Sequence, residues 1–350
     1  MLREGTAPRV IRARAPLRLG LAGGGTDVSP YCDEYGGFVL NATIDKYAYA
    51  VIETPANGAI EFVAADQQQS WRGDAAPQLP VEGVLALHRG VYNRVVRDFN
   101  GGRPIPLRMT TFADAPPGSG LGSSSTLVVA MLKAYTELLG LPLGEYETAH
   151  LAYEIERLDL GLSGGKQDQY AATFGGFNFM EFYGDDRVIV NPLRIKNWIV
   201  SELEASTLLY FTGVSRASAD IIDEQRQHMK RHDHDALDGL HRVKREAVQM
   251  KEALLRGDFE LLARSLREGW AAKKRTARSV SNSQIDVVFE RALAAGALGG
   301  KVSGAGGGGF MFVLTQPHRR MEVMRALADC GGQVMNCHFT ELGTQGWRAS

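Results

Sequence analysis

Three glycine-bearing segments hold the residues best placed to do chemistry. The first is Pro116-Pro117-Gly118-Ser119-Gly120-Leu121-Gly122-Ser123-Ser124-Ser125, directly before an amphipathic stretch. Glycines let a backbone turn several N–H groups toward one point with no Cβ in the way. A helix start adds unpaired N–H donors and a partial positive charge, so the two together form a phosphate cradle. An ordinary helix start with a serine cap would need one glycine; this segment has three, with two prolines and four serines. Ser124 and Ser125 are placed to cap the helix and to turn a hydroxyl toward a metal or phosphate.

The second segment, Leu21-Ala22-Gly23-Gly24-Gly25-Thr26-Asp27, follows Arg18 on an alternating stretch. A glycine run ending in Asp brings backbone close to a ligand and leaves one carboxylate as an acceptor for sugar hydroxyls; a plain turn with an Asx-type Asp is the other reading. The third, Lys301-Val302-Ser303-Gly304-Ala305-Gly306-Gly307-Gly308-Gly309, precedes an apolar strand and reads as a close backbone approach. A fourth feature is Glu156. On a helix its neighbours are Ala152, Tyr153 and Leu160, and a carboxylate on so apolar a face is expected to ligate or to pair. Glu154 is expected at the surface.

Two phosphate-binding alternatives fail on the string itself. No GxxxxGK[ST] occurs, and GxGxxG is only approximated, with Ser123 in its last position. The dinucleotide fold also requires a strand after the helix, and here a second helix follows.

The elements that must position these residues are legible in outline. Strands are expected at Val10–Leu21, Phe38–Leu40, Tyr47–Glu53, Ile60–Val63 and Leu107–Phe112, with a polar turn region between residue 64 and Pro80. Helices are expected at Val84–Phe99, Ser124–Leu139 and Glu145–Leu160, the second ending at Gly140 with Pro142 beyond. Leu162–Gln169 reads as a loop. Charged amphipathic helices follow at Ser218–Arg231, Leu237–Arg256, Phe259–Arg275 and Gln284–Ala295. The strand Phe310–Leu314, the helix His318–Ala328 and the strand Gln333–Phe339 close the chain. This order implies α+β with a boundary near residues 190–205.

Composition bounds the class. The 350 residues suggest two domains, and 39 basic against 40 acidic residues argue against a nucleic-acid binder. No apolar run is long enough to cross a membrane, and the first residues do not read as a signal peptide. Cys32, Cys330 and Cys337 form no CxxC pair and no even-numbered framework, which fits a reducing, cytoplasmic setting.

With the three segments in order, the chain resembles the galactokinase, homoserine kinase, mevalonate kinase and phosphomevalonate kinase (GHMP) superfamily over nearly its full length. The motif Pro-x-Gly-x-Gly-Leu-Gly-Ser-Ser is matched by Pro116–Ser124. The family's basic residue on the first strand is matched by Arg18, and the Asp that lies nine positions later in galactokinase-like members is matched by Asp27. Galactokinases carry Glu-His where this chain has Gly24-Gly25, which counts against galactose. Arg-Leu-x-Leu-Ala-Gly-Gly-x-Thr-Asp followed by Pro-Tyr-Cys resembles D-glycero-D-manno-heptose 7-phosphate 1-kinases, and the shared Ala-Gly-Gly-x-x-Asp core resembles fucokinases. The segments 164–170, 211–216 and 280–286 strengthen the heptose side.

The resemblance implies a two-domain GHMP kinase fold, with an N-terminal ribosomal-protein-S5-like α/β domain at 1–195 and a C-terminal ferredoxin-like α+β domain at 196–350. It implies an ATP- and Mg2+-dependent sugar kinase that phosphorylates the anomeric hydroxyl of a heptose 7-phosphate for surface polysaccharide. A kinase of an unphosphorylated sugar and a catalytically silent sugar or ATP sensor are the alternatives. By the same resemblance Asp168 is the catalytic carboxylate with Arg18 against it. Pro117, Gly118, Ser119, Gly120, Leu121, Gly122, Ser123 and Ser124 hold the ATP phosphates, and Ser124 and Glu156 hold the metal. Gly24, Gly25, Thr26, Asp27, Lys166, Gly304, Ala305 and Gly306 hold the substrate. A substrate phosphate would need cations, for which Lys273, Lys274, Arg275 and Arg216 are candidates. The expected partners are a sugar phosphate and ATP, with no nucleic acid and no membrane, and with homo-oligomerisation left open.

Overall fold

The computed structural model of the chain describes residues 10–54, 58–213, 218–231 and 233–349. The first half runs β1 (Val10–Ala22), α1 (Tyr31–Tyr35), β2 (Gly37–Glu53), β3 (Ala59–Ala64), β4 (Gln69–Asp74), α2 (Ala86–Phe99), β5 (Leu107–Ala113), α3 (Ser123–Leu139), α4 (Glu145–Glu154), α5 (Gln167–Phe174), β6 (Phe177–Phe182) and β7 (Val188–Pro192). The second half runs α6 (Asn197–Ser206), β8 (Thr207–Phe211), α7 (Ser218–Lys230), α8 (His234–Arg256), α9 (Phe259–Thr276), α10 (Ser283–Ala294), β9 (Ala297–Val302), β10 (Phe310–Thr315), α11 (Arg320–Ala328), β11 (Gln333–Asn336) and β12 (Gln345–Ala349).

The strands form two sheets. An eight-stranded sheet has the order β12-β1-β2-β5-β3-β4, with β6 paired to β2 and β7 to β6. Only β3 and β5 pair in parallel within it. A four-stranded antiparallel sheet has the order β11-β8-β10-β9. Its β-α-β-β-α-β connectivity is the ferredoxin-like arrangement. The mixed α+β architecture expected from the sequence is therefore present. Strand β12 returns from the end of the chain to pair with β1, Val10 opposite Ala349 through Arg14 opposite Gln345. A cut at 195/196 thus leaves one strand of the first sheet on the far side.

The long β1–β2 ribbon serves two cores. Ile11, Ala13 and Ala15, with Ala48, Ala50 and Ile52, pack under the apolar faces of α2 and α3. Leu17, Leu19 and Leu21, with Leu40, Ala42 and Ile44, pack against α8 and α9. The changeover falls at a register shift between Pro16 and Arg18. There the Arg18 N–H leaves the ladder and donates to the Leu121 carbonyl at 3.1 Å, tying the cradle to β1. Because successive side chains alternate, Arg18 lies on the other face from Leu17 and Leu19.

Several elements differ from the expectation. Phe38–Leu40 and Tyr47–Glu53 are parts of one strand, because distant partners hold the residues between them extended: Asn41 lies between Gly20 of β1 and Asn178 of β6, Thr43 opposes Arg18, Ile44 bridges to Phe339 and the Asp45 N–H donates to the His338 carbonyl. The polar region before Pro80 contains β4, an edge strand with no alternating apolar face to reveal it. The helix from Glu145 stops at Glu154 and widens at Ile155–Asp159, where the Leu160 N–H donates to the Ile155 carbonyl. Such five-residue turns recur at functional sites. The loop from Leu162 ends early, since α5 starts at Gln167.

Candidate active site

The cradle is a helix start with its donors left free. Gly122 takes the cap position with φ 78°, a left-handed value that favours glycine. The Thr126 N–H donates to the Gly122 carbonyl at 2.9 Å, so the N–H groups of Ser123, Ser124 and Ser125 precede the first helical bond. All three serines line an open cleft with Gly118, Gly120 and Gly122. The expectation that Ser124 and Ser125 cap the helix is corrected, since no side chain does so. The Ser124 hydroxyl instead donates to Glu156 Oε1 at 3.2 Å, and Ser125 Oγ accepts from Gln169 Nε2 at 3.2 Å. Ser119 is fully buried against Ser123, and Leu121 belongs to the core.

The third glycine segment approaches the first. A Cβ on Gly120 would stand 2.4 Å from the Ser303 carbonyl oxygen, and one on Gly304 would stand 2.9 Å from Gly120 Cα. Gly120 also has φ +81°. The close approach read from Lys301–Gly309 is therefore backbone on backbone, loop against cradle. Gly304 and Ala305 line the cleft; Gly306 packs on Val280.

Arg18, 3% exposed, spans the floor. Its Nε and Nη2 reach Asp168 Oδ1 at 2.8 and 2.7 Å, and its Nη1 donates to the Gly120 carbonyl at 2.6 Å. A Cβ on Gly122 would lie 3.2 Å from Asp168 Oδ2, so that oxygen faces the start of α3. Asp168 sits in the first turn of α5, and Arg18 holds it toward the cradle.

Asp27 is 1% exposed and its carboxylate is fully engaged within the chain. Oδ2 accepts the backbone N–H groups of Lys166 and Gln167 at 3.0 and 3.1 Å. Oδ1 accepts the Gly25 N–H and Gln167 Nε2, both at 3.0 Å. A carboxylate offers about four acceptor sites, so little capacity remains for a sugar hydroxyl. What Asp27 does here is anchor the start of the helix that carries Asp168. Thr26 bonds to Gly23 and Phe38 backbone and shapes the turn. The Lys166 side chain turns away to Asp186, at 2.7 Å, and lies over the Tyr153 ring; its ammonium does not line the cleft.

Of the four cationic candidates, Lys273 lines the cleft. Lys274 pairs with Asp286 and Arg275 with Asp235, while Arg216 lies outside the described residues. Lys273 is 4% exposed and donates to the Gly304 carbonyl at 2.6 Å. Burial pulls its pKa down to about 8, and Arg18 adds to the fall, against the attraction of Asp27 and Asp168. Lys301, also buried, donates to the Gly20 carbonyl at 2.8 Å, and burial drives its pKa well down. Lys301 and Gln167 were not legible as site residues. The only signals were that one opens a glycine segment and the other precedes Asp168.

Glu156 is 1% exposed. Its Oε1 meets Ser124, its Oε2 accepts from Gln169 Nε2 at 2.6 Å, and Arg157 stands 3.8 Å away. It is thus both hydrogen-bonded and presented to the cleft beside the serine hydroxyl. Glu154, expected at the surface, is partly buried and pairs with Arg94. Ser124 and Glu156 supply two hard oxygens, and the described residues gather no cluster of three His, Cys, Asp or Glu that could hold a metal alone. Such a donor set suits Mg2+, which takes one or two protein oxygens and completes its shell with phosphate and water.

Comparison with known proteins extends this geometry. Residues 86–176 match the GHMP kinases N terminal domain, and residues 250–332 match the GHMP kinases C terminal domain. A D-glycero-alpha-D-manno-heptose 7-phosphate kinase of Campylobacter jejuni is 50% identical over 340 residues, 97% of this chain and 99% of that one. A crystal structure described as a D-glycero-D-manno-heptose 1-phosphate kinase from Bacteroides thetaiotaomicron superposes with TM-score 0.84 at 49% identity, covering 97% of this chain and 99% of the other. A bifunctional L-fucokinase/L-fucose-1-P guanylyltransferase of Bacteroides fragilis is 26% identical over 349 residues, 92% of this chain but 36% of its own length.

Proposed function

Because the chain belongs to the GHMP kinase family and is a phosphotransferase with an alcohol group as acceptor, we propose that it phosphorylates the anomeric hydroxyl of D-glycero-D-manno-heptose 7-phosphate. The product is the 1,7-bisphosphate, a precursor for nucleotide-activated heptose in surface polysaccharide, made in the cytoplasm. The observation that carries this reading is the near-full-length likeness to the heptose 7-phosphate kinase. The two heptose-kinase names differ in the carbon that bears the phosphate, so both sugar phosphates belong in the test. No helix among the described residues is long and apolar enough to cross a membrane. In domain terms we take 1–195 and 196–350 as the units, with β12 returned to the first.

In this reading the N–H groups at Gly118–Ser124 hold the β- and γ-phosphates of ATP, a substrate of the family's reaction. Ser124 and Glu156 would hold Mg2+, which when bound neutralises phosphate charge. The acceptor hydroxyl oxygen attacks the γ-phosphorus, the bond to the ADP oxygen breaks, and the hydroxyl proton passes to Asp168 Oδ2. Arg18 holds Asp168 in place and offsets the charge that develops on the transferring group. Asp27 holds the turn and the α5 start that set Asp168 in place.

The test is ADP release across a panel of heptose 7-phosphate, heptose 1-phosphate, unphosphorylated heptose, fucose, galactose and mevalonate, with the product identified by mass and phosphorus NMR. Heptose 7-phosphate is expected to give the highest kcat/KM and a 1,7-bisphosphate. A higher kcat/KM on an unphosphorylated sugar would overturn the substrate assignment.

A further inference from the structure

Three polar side chains from distant parts of the chain converge beside Gly20 of β1, and one of them brings an oxygen without a partner. Gln167 is 8% exposed. Its amide orientation is fixed by chemistry: Nε2 stands 3.0 Å from Asp27 Oδ1, and a carboxylate accepts but does not donate. The other end, Oε1, is therefore an acceptor, and no described residue donates to it. A buried amide oxygen left unpaired is costly.

A Cβ built on Gly20 shows what surrounds that oxygen. Outside the adjoining residues its three nearest atoms are Gln167 Oε1 at 3.9 Å, Arg18 Nη1 at 4.0 Å and Lys301 Nζ at 4.0 Å. All three are polar, and Gly20, Arg18 and Lys301 are buried. Arg18 Nη1 is already spent on the Gly120 carbonyl and, at 3.4 Å, on Ser303 Oγ. Lys301 retains capacity. It donates to the Gly20 carbonyl at 2.8 Å and approaches the Leu21 carbonyl at 3.5 Å, and a lysine nitrogen carries up to three N–H donors. Burial drives its pKa well down, with Lys273 and Arg18 adding to the fall; a neutral amine still donates. Lys301 and Gln167 make no direct bond, so a donor and an acceptor face one small space unjoined.

The chemistry of that space selects its occupant. An anion such as chloride would meet the lone pairs of Oε1 and leave that oxygen unpaired. A metal cation would stand against the Arg18 guanidinium and the N–H groups of Lys301. A water molecule accepts from Lys301 and donates to Oε1, and a buried water takes roughly two to four polar partners of this kind. A water oxygen also stands farther from Cα than a bonded Cβ does, which moves it out toward the three polar atoms and into hydrogen-bonding range.

We propose that one water molecule is bound beside Gly20, accepting from Lys301 Nζ and donating to Gln167 Oε1, as an integral part of the fold. Lys301 belongs to β9 in the second half of the chain, and Gly20 and Gln167 to the first. The water therefore joins the two halves beneath Arg18. It also fixes Gln167 at both ends, Nε2 on Asp27 and Oε1 on the water, at the start of the helix that carries Asp168. Glycine at position 20 leaves the water its place. The site does not depend on which sugar is the substrate.

The experiment uses the full chain and two substitutions of Gly20. A methyl fits there, since contacts of 3.9–4.0 Å are ordinary and the φ of Gly20 is not left-handed. A fitting Gly-to-Ala change raises the folding equilibrium constant by about twofold to fivefold. Gly20→Ala should instead lower it by about fivefold or more, because the methyl expels the water and strands Oε1. Gly20→Ser brings a hydroxyl to the same oxygen and should recover most of that loss. Urea unfolding of the unmutated protein and both variants reads this order. A high-resolution crystal structure of the unmutated protein should show a water within hydrogen-bonding distance of Gln167 Oε1 and Lys301 Nζ. The proposal is overturned if Gly20→Ala is at least as stable as the unmutated protein, or more stable than Gly20→Ser. It is also overturned, without any variant, if the crystal structure shows Lys301 or Arg18 bonded directly to Oε1 with no water between them.

Discussion

Two nitrogens of Arg18 converge on one oxygen of Asp168: Nε at 2.8 Å and Nη2 at 2.7 Å both reach Oδ1, and Oδ2 is left facing the cradle. The guanidinium thereby fixes which oxygen is available to a substrate hydroxyl. Asp168→Asn keeps the shape, removes the acceptor charge and weakens the pair. Its kcat should fall by ~10²–10⁴ with little change in sugar KM. Arg18→Met should also lower kcat, by loss of both positioning and charge. Steady-state kinetics with the best sugar of the panel check this; full kcat in Asp168→Asn would remove Asp168 from the chemistry.

Gly120 is where two loops touch. Gly120→Val places a side chain 2.4 Å from the Ser303 carbonyl and on a left-handed backbone that costs about 1–2 kcal/mol for an L-residue. The variant should unfold at lower temperature and, where folded, bind ATP about tenfold or more weakly. Isothermal titration with a non-hydrolysable ATP analogue measures it. Normal affinity in the folded variant would contradict the cradle.

Glu156→Gln preserves an acceptor for Gln169 and removes the charge beside Ser124. The expected outcome is an unchanged circular dichroism spectrum with a Mg2+ requirement shifted upward by about tenfold or more. If kcat and the Mg2+ titration both stay as they were, Glu156 is a structural partner of Gln169 and nothing more.

Asp27→Asn replaces an acceptor of four N–H groups by an amide whose own N–H2 must face some of them. Unpaired buried donors cost about 1–3 kcal/mol each. The variant should lose thermal stability and kcat together, because the α5 start that carries Asp168 is loosened. An effect confined to sugar KM, with the melting temperature unchanged, would instead show a carboxylate that serves the sugar directly.

Lys273 links function to pH. Its pKa is about 8 in the folded chain against 10.5 in the unfolded one. The unfolded chain therefore binds more protons between these values, and stability rises with pH across that window. The cost of burying the charge is full below about 8 and is gone above 10.5. Lys273→Met should accordingly stabilise the fold at pH 7 by of order 1–3 kcal/mol, and the gain should shrink as pH rises through 8 toward 10.5. Urea unfolding at several pH values, set against the unmutated protein, reads the difference directly. A gain independent of pH would mean that the ammonium is not buried in its charged form.

Much of this protein was legible from local chemistry. The cradle could be read because glycine, proline and helix-start requirements act over a few residues, and Pro116–Ser125 meets them within ten positions. Arg18 and the strand that carries it, the helix after the cradle and two strands of the four-stranded terminal sheet, β10 and β11, were likewise readable in outline from periodicity; β8 and β9 were not. Short-range rules failed where an element owes its form to a distant neighbour. Strand β2 looked broken because its middle is held extended by distant partners, β1, β6 and residues 338–339. Strand β12 has meaning only as a partner of β1, more than 300 residues earlier.

The site divides along the same line. Residue types alone placed a carboxylate at Asp27, a lysine at 166 and another at 273, but type does not say where hydrogen-bonding capacity is spent. Tertiary packing decided that Asp27 accepts three bonds from the start of α5 and one from Gly25, that Lys166 turns to Asp186, and that Ser124 meets Glu156. It also left the Gln167 oxygen without a partner on the Gly20 side, near Arg18 and Lys301. The physical reason is that a hydrogen bond is decided by angstrom-scale geometry between groups, and for groups far apart in the chain that geometry exists only once the core has closed.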